Sequence, residues 1–139
     1  MNRAEIDIEI QTFLETLLLE SSYSSIDHHT YDGVDIDIEP DPQNDTWVVF
    51  SVRMLDTLMV EIGRKNALGI RNCILHINVY TPKDGGTVAG ALLSGSFEDS
   101  FRRIATDNCS FQEPNTVFIP TGDWFNHHIV IPFYTTIGE

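Results

Sequence analysis

At 139 residues the chain has the size of one domain, and folding at that length buries about two-thirds of the accessible surface, enough for a core without disulfide or metal staples. Its 21 acidic and 8 basic residues leave a formal net charge of −13, which speaks against a protein that reads nucleic acid, because such binding is driven by Lys and Arg neutralising phosphates. Hydrophobic residues make up 42% of the chain, no apolar run nears the roughly 20 residues that span a bilayer, and Glu5 stands where a secretory leader would be apolar, so the expectation is a protein made and kept in a cytoplasm, with no membrane partner.

The chain opens on a helix. Asn2 can cap it, with Glu5 three residues on. Ile6, Ile10, Phe13, Leu14, Leu17 and Leu18 recur at three- and four-residue spacing and form one apolar stripe over residues 3–19. Ser21, Ser22, Ser24 and Ser25 end it. Residues 26–45 then turn acidic and polar, punctuated by Pro40 and Pro42. Val34, Ile36 and Ile38 alternate with acids there, which allows a short strand inside a longer loop.

Residues 47–55 read as a buried strand. Val48, Phe50, Val52 and Met54 face one way, and Trp47, Val49, Ser51, Arg53 and Leu55 the other. A second run, 57–62, leads into Gly63-Arg64-Lys65-Asn66-Ala67-Leu68-Gly69, a loop bracketed by glycines. A long strand follows at 70–81. Its Cys73, Leu75, Ile77 and Val79 share an apolar face, while Asn72, His76 and Asn78 share the opposite one. That pattern fits a hairpin whose sheet is dry on one side only.

Pro82-Lys83-Asp84-Gly85-Gly86 is a turn and a helix entry. Leu93, Phe97, Phe101 and Ile104 give a second helical stripe over 88–105, despite Gly90 and Gly95, each of which costs about 1 kcal/mol relative to Ala in a helix interior. A second hairpin closes the chain: 110–120, the turn Thr121-Gly122-Asp123, then 124–134, with Ile129, Ile131 and Phe133 on one side. Pro132 suits a strand end or an edge. Helix, strands, helix, strands predicts one α+β domain over residues 1–139. Its expected architecture is a mostly antiparallel mixed sheet with two helices packed on one face, a two-layer sandwich.

The residues that could carry chemistry do not assemble into a known pattern. Cys73 and Cys109 lack the short paired spacings of zinc sites and read as small buried hydrophobes. His28-His29, His76 and His127-His128 could ligate a metal, but adjacent strand residues point to opposite faces, so only one of each pair can join a given site. The acids Asp35, Asp37, Glu39 and Asp41 alternate as in a calcium loop. Counting from Asp35, however, Pro40 and Thr46 occupy the positions where that loop needs glycine and glutamate. Ser94-Gly95-Ser96 lacks the flanking glycines of a nucleophile elbow, and Lys83-Asp84-Gly85-Gly86 lacks the GKS/T step of a phosphate loop. The sequence therefore predicts no catalytic residue, no cofactor and no metal.

A resemblance supplies what the motifs do not. Gly63-Arg64, Gly69, the strand Ile74-Leu75-His76-Ile77-Asn78-Val79-Tyr80, Pro82, Gly85-Gly86, Phe101-Arg102-Arg103-Ile104 and the closing His128-Ile129-Val130-Ile131-Pro132-Phe133 resemble the tail terminator proteins of long-tailed bacteriophages, the lambda type among them. The N-terminal helix and the proline-containing link before Trp47 fit as well, so the likeness runs over nearly the whole chain. The acidic stretch with Asp35, Asp37 and Glu39 departs from it. The resemblance implies a structural virion protein assembled in the host cytoplasm, six copies of which form a ring. Such a ring caps the tail tube, stops its polymerisation and joins the head through a head-completion or connector protein. DNA would cross the lumen without specific binding, which suits the acidic chain. Candidate interface residues are the basic loop Arg64, Lys65 and Asn66 and the polar strand face Asn72, His76 and Asn78. Alternatives are a connector protein of the neck, a small acidic binding module, or a metal-dependent hydrolase built on the histidines and acids.

Overall fold

The computed structural model describes residues 3–31, 45–59, 69–102 and 104–137. Helix α1 spans Arg3–Leu17 and α2 spans Val88–Phe101; the strands are β1 His28–Tyr31, β2 Trp47–Met59, β3 Gly69–Pro82, β4 Cys109–Phe111, β5 Asn115–Thr121 and β6 Trp124–Ile137. These six strands form one mixed sheet ordered β1-β2-β3-β6-β4, with β5 also paired to β6. The protein is α+β. Its centre is the antiparallel trio β2, β3 and β6, in which Phe50 faces Ile77 and Ile77 faces Ile129. The short β1 adds a parallel edge, His28 to Tyr31 beside Trp47 to Phe50.

The alternation seen in the sequence sorts the side chains as expected. Val48 and Phe50, then Cys73, Leu75, Ile77 and Val79, then Ile129, Ile131 and Phe133 all enter one hydrophobic cluster. The same cluster takes Ile6, Ile10, Leu14 and Leu17 from α1 and Leu93, Phe97 and Phe101 from α2. Edge-on aromatic contacts stitch it together: Phe50 to Phe97, Phe13 to Phe101 and Phe101 to Phe111. Both cysteines are buried free thiols, as their reading as small hydrophobes requires.

Several boundaries differ from the sequence expectation, each for a local reason. Helix α1 stops at Leu17, not at residue 19, because the amides of Leu19 and Glu20 reach back only three residues, to Thr16 and Leu17; Leu19 is left exposed. Helix α2 ends at Phe101, not at residue 105. Arg102 is already extended (φ −64°, ψ 111°), and the following backbone is claimed by strand pairing, with the Phe111 amide donating to the Ile104 carbonyl and Ala105 bridging Ser110. Of the run at 57–62, residues 57–59 belong to β2, which continues to Met59, and residues 60–62 lie outside the described residues. Between Met54 and Thr57 β2 advances three residues while β3 goes from Cys73 to Arg71, so one extra residue bulges out and breaks the alternation. The stretch 110–120 is two strands, split around Pro114, which has no amide to donate. Strand β1 lies in the polar stretch read as loop; its partner β2 is remote and parallel, and nothing local announces it. The short strand at Val34, Ile36 and Ile38 and the Asn2 cap lie outside the described residues.

Among the described residues, Gly86 (φ 74°) and Gly122 meet a backbone demand and Gly90 a packing demand. Gly122, at φ 56°, makes the two-residue turn that sets Thr121 against Trp124. Gly90 lets α2 approach the sheet: a Cβ there would sit 2.4 Å from the His127 ring and 3.2 Å from Thr81 Oγ1.

Candidate assembly surface

The outward parity of the central strands forms the most distinctive surface. Of the six residues singled out in the sequence, Asn72, His76 and Asn78 stand together on this side of β3, Asn72 exposed and the other two half-buried. Arg64, Lys65 and Asn66 lie outside the described residues.

His76 and Asn78 do not face solvent alone. His76 Nδ1 lies 2.9 Å from His128 Nε2, and Asn126 Nδ2 donates to Asn78 Oδ1 at 3.3 Å. Register explains both contacts. Asn78 is paired with His128 and His76 with Val130, so each polar contact runs diagonally between strands, within reach of long side chains. One imidazole of the His76–His128 pair donates and the other accepts, so the contact requires at least one neutral ring. Burial, then the neighbouring His128 and Arg53, pushes the His76 pKa below the usual imidazole value.

Around these pairs the surface is mixed: Ser51 stands opposite His76 and Arg53 opposite Ile74, with apolar and aromatic residues further out. At one end Trp47 stacks on Tyr80, ring centroids 4.2 Å apart, and Trp124 meets Trp47 edge-on at 5.6 Å. Leu55, Val117 and Ile119 share the outward parity and are more than 40% exposed. Sequence reading put Trp47 on the outward side of β2 but missed His128, Asn126, Tyr80 and Trp124 as members of this face. Alternation along β6 puts Trp124, Asn126 and His128 on one side, but only the β3–β6 register says that this side is the one carrying His76.

The other histidines separate as strand geometry demands. His28 contacts Asp45 and His29 contacts Glu15, at 3.2 and 3.1 Å, on different sides of β1. His127 is buried beneath α2 while His128 faces out. Among the described residues no three His, Cys, Asp or Glu side chains converge on one point, and no described helix is long and apolar enough to cross a membrane. Cys109 is held as a thiol, its pKa pushed up to about 12 by burial and by the Glu9 carboxylate.

The arrangement defines a protein class by fold alone: a small α+β domain with a mixed sheet. No family model matches the chain, and no curated protein matches it. Eight chains of solved structures do. One of them, 11% identical, superposes with a TM-score of 0.62 over 99% of this chain and 96% of its own. At that identity the likeness is one of fold.

Proposed function

We propose that this chain is a ring-forming structural subunit of a phage tail, in the role that its resemblance to the tail terminators implies. Six copies close a ring on the end of the tail tube, stop further addition of tube protein, and offer the head-completion or connector protein a surface to join. The chain catalyses no reaction and holds no cofactor or metal. Its place is the tail or neck of the virion, after assembly in the host cytoplasm. Both helices form a single layer on the buried side of the sheet, which makes the domain a two-layer sandwich and frees the other side for neighbours.

The observation that supports this reading is the outward sheet side itself. It combines an aromatic trio, exposed Leu55, Val117 and Ile119, and polar groups already paired with one another. Exposed apolar side chains gathered on one side of a small domain mark surfaces that other proteins cover, and the His76–His128 and Asn78–Asn126 contacts give polar groups there a partner before any neighbour arrives. Light scattering of the purified chain should give the mass of six chains, and electron microscopy should give closed rings with a central hole. A single-chain mass throughout the micromolar range, with no rings in the presence of tube protein, would overturn the proposal.

A further inference from the structure

A second surface lies on the far side of α1. An open groove of about 590 Å³ runs between this helix and the turn at residues 105–107. Its floor is apolar, made by Phe13, Ala105 and Ile8, the last 65% exposed. Its rim carries Glu5, Glu9 and Asp107, and none of the described residues lining it is cationic. Glu9 builds the groove. Its carboxylate accepts from the Thr106 hydroxyl, from the Asn108 amide at 3.1 Å and from Asn108 Nδ2 at 2.8 Å, which fastens the turn to the helix. Burial alone would push the Glu9 pKa up, but these bonds and one with Cys109 outweigh it and hold it below the ordinary value, so the groove keeps this negative charge at neutral pH.

The chain's own cations supply a complement. It has eight Lys and Arg residues. Arg3 is tied to Asp7 and to the Val52 carbonyl, Arg102 to Asp99 and Glu113, and Lys83 lies over the Phe125 ring. Adjacent cations occur in the sequence only at Arg64-Lys65 and Arg102-Arg103, and Arg102 is already engaged. Arg64-Lys65 is followed at once by Asn66-Ala67-Leu68. Two cations beside two small apolar side chains match an apolar floor with a carboxylate rim.

We propose that the groove between α1 and residues 105–107 receives the 63–68 segment of a second copy of this chain. The inference rests on the ring reading and deepens it by naming both halves of one contact. Ring closure by rotation needs two different patches that meet, one from each neighbour. Subunits this acidic repel one another unless charges of opposite sign meet locally, and the contact weakens as salt screens it.

Two measurements on the full chain test the pairing. A chain carrying Ile8→Cys is mixed with a chain carrying Asn66→Cys under mild oxidation; the native cysteines are buried and stay silent. A disulfide-linked product of two chains should form in the mixture and not with either variant alone. Separately, Arg64→Glu with Lys65→Glu should shift the light-scattering mass from six chains to one while the circular-dichroism spectrum stays that of the folded chain. Adding Glu5→Lys and Asp107→Lys to that variant should restore the six-chain mass. A wild-type chain that is single in solution and forms no rings with tube protein overturns the ring reading and this contact with it. A ring that survives charge reversal and forms no cross-link overturns the contact alone, as does a charge-reversed single chain that the two lysines do not rescue.

Discussion

His127 and His128 are neighbours in sequence and opposites in surroundings, because consecutive side chains of β6 point to opposite sides of the sheet. His127 is 6% exposed, its ring stacks on Phe118, and its Nδ1 is buried without a hydrogen-bond partner. Burial alone pushes its pKa down, and His76 is shifted the same way across the sheet. A lowered imidazole pKa means that the unfolded chain binds protons more readily than the folded one. Stability is then fully present above the unfolded value of about 6.5 and falls as pH drops below it. The urea midpoint should therefore be lower at pH 5.5 than at pH 7.5, with part of the difference removed by His127→Gln. Carboxylates such as Glu9 and Glu15, also held below their ordinary pKa, lose their contribution only at more acidic pH. Equal midpoints at the two pH values would contradict the burial assigned to both rings. The histidine doublet was legible as a pair that must split, and alternation puts His127 on the side of Ile129, Ile131 and Phe133; what no local pattern encodes is the register that brings His128 to His76.

Helix α2 carries two glycines that look alike in the sequence and differ in the fold. At Gly95 an added Cβ would meet nothing within 4 Å, whereas at Gly90 it would strike His127 and crowd Thr81. Gly95→Ala should stabilise by about 1 kcal/mol, the ordinary helix-interior preference. Gly90→Ala gains the same preference but overpacks a close helix–sheet approach, a change that costs about 1–3 kcal/mol, so its net effect should be destabilising. Chemical denaturation of the two variants checks the contrast, and a Gly90→Ala protein more stable than wild type would mean that α2 stands further from the sheet. Long periodic elements were readable throughout: the stripe of α1, the alternation in β3 and the inward set of β6 all emerge as expected. The failures cluster at ends and interruptions. Ile104 kept helical spacing after the backbone had turned to pair with β4, the bulge near Leu55 made one strand read as two, and Pro114 split another.

The charge of the whole chain acts at longer range than any pair within it. The lumen of the proposed ring would be lined by subunits carrying −13 each and would offer little to phosphates, since duplex binding depends on cations that release counterions. Rings of the purified protein should not retain duplex DNA in a gel-shift assay even at about 50 mM salt, where such binding is strongest. Retention at micromolar protein would exclude a passive lumen.

The sequence by itself determined the α+β class, the inward set of the long strands and the acidic charge of the chain, because these follow from periodicity and from the count of ionisable residues. Tertiary structure alone decided the rest. The parallel edge at β1, the His76–His128 and Asn78–Asn126 contacts, the aromatic trio of Trp47, Tyr80 and Trp124, and the groove under α1 each join residues far apart in the chain. Their existence depends on strand register and on how closely helix and sheet approach, and both are fixed by packing the whole core at once.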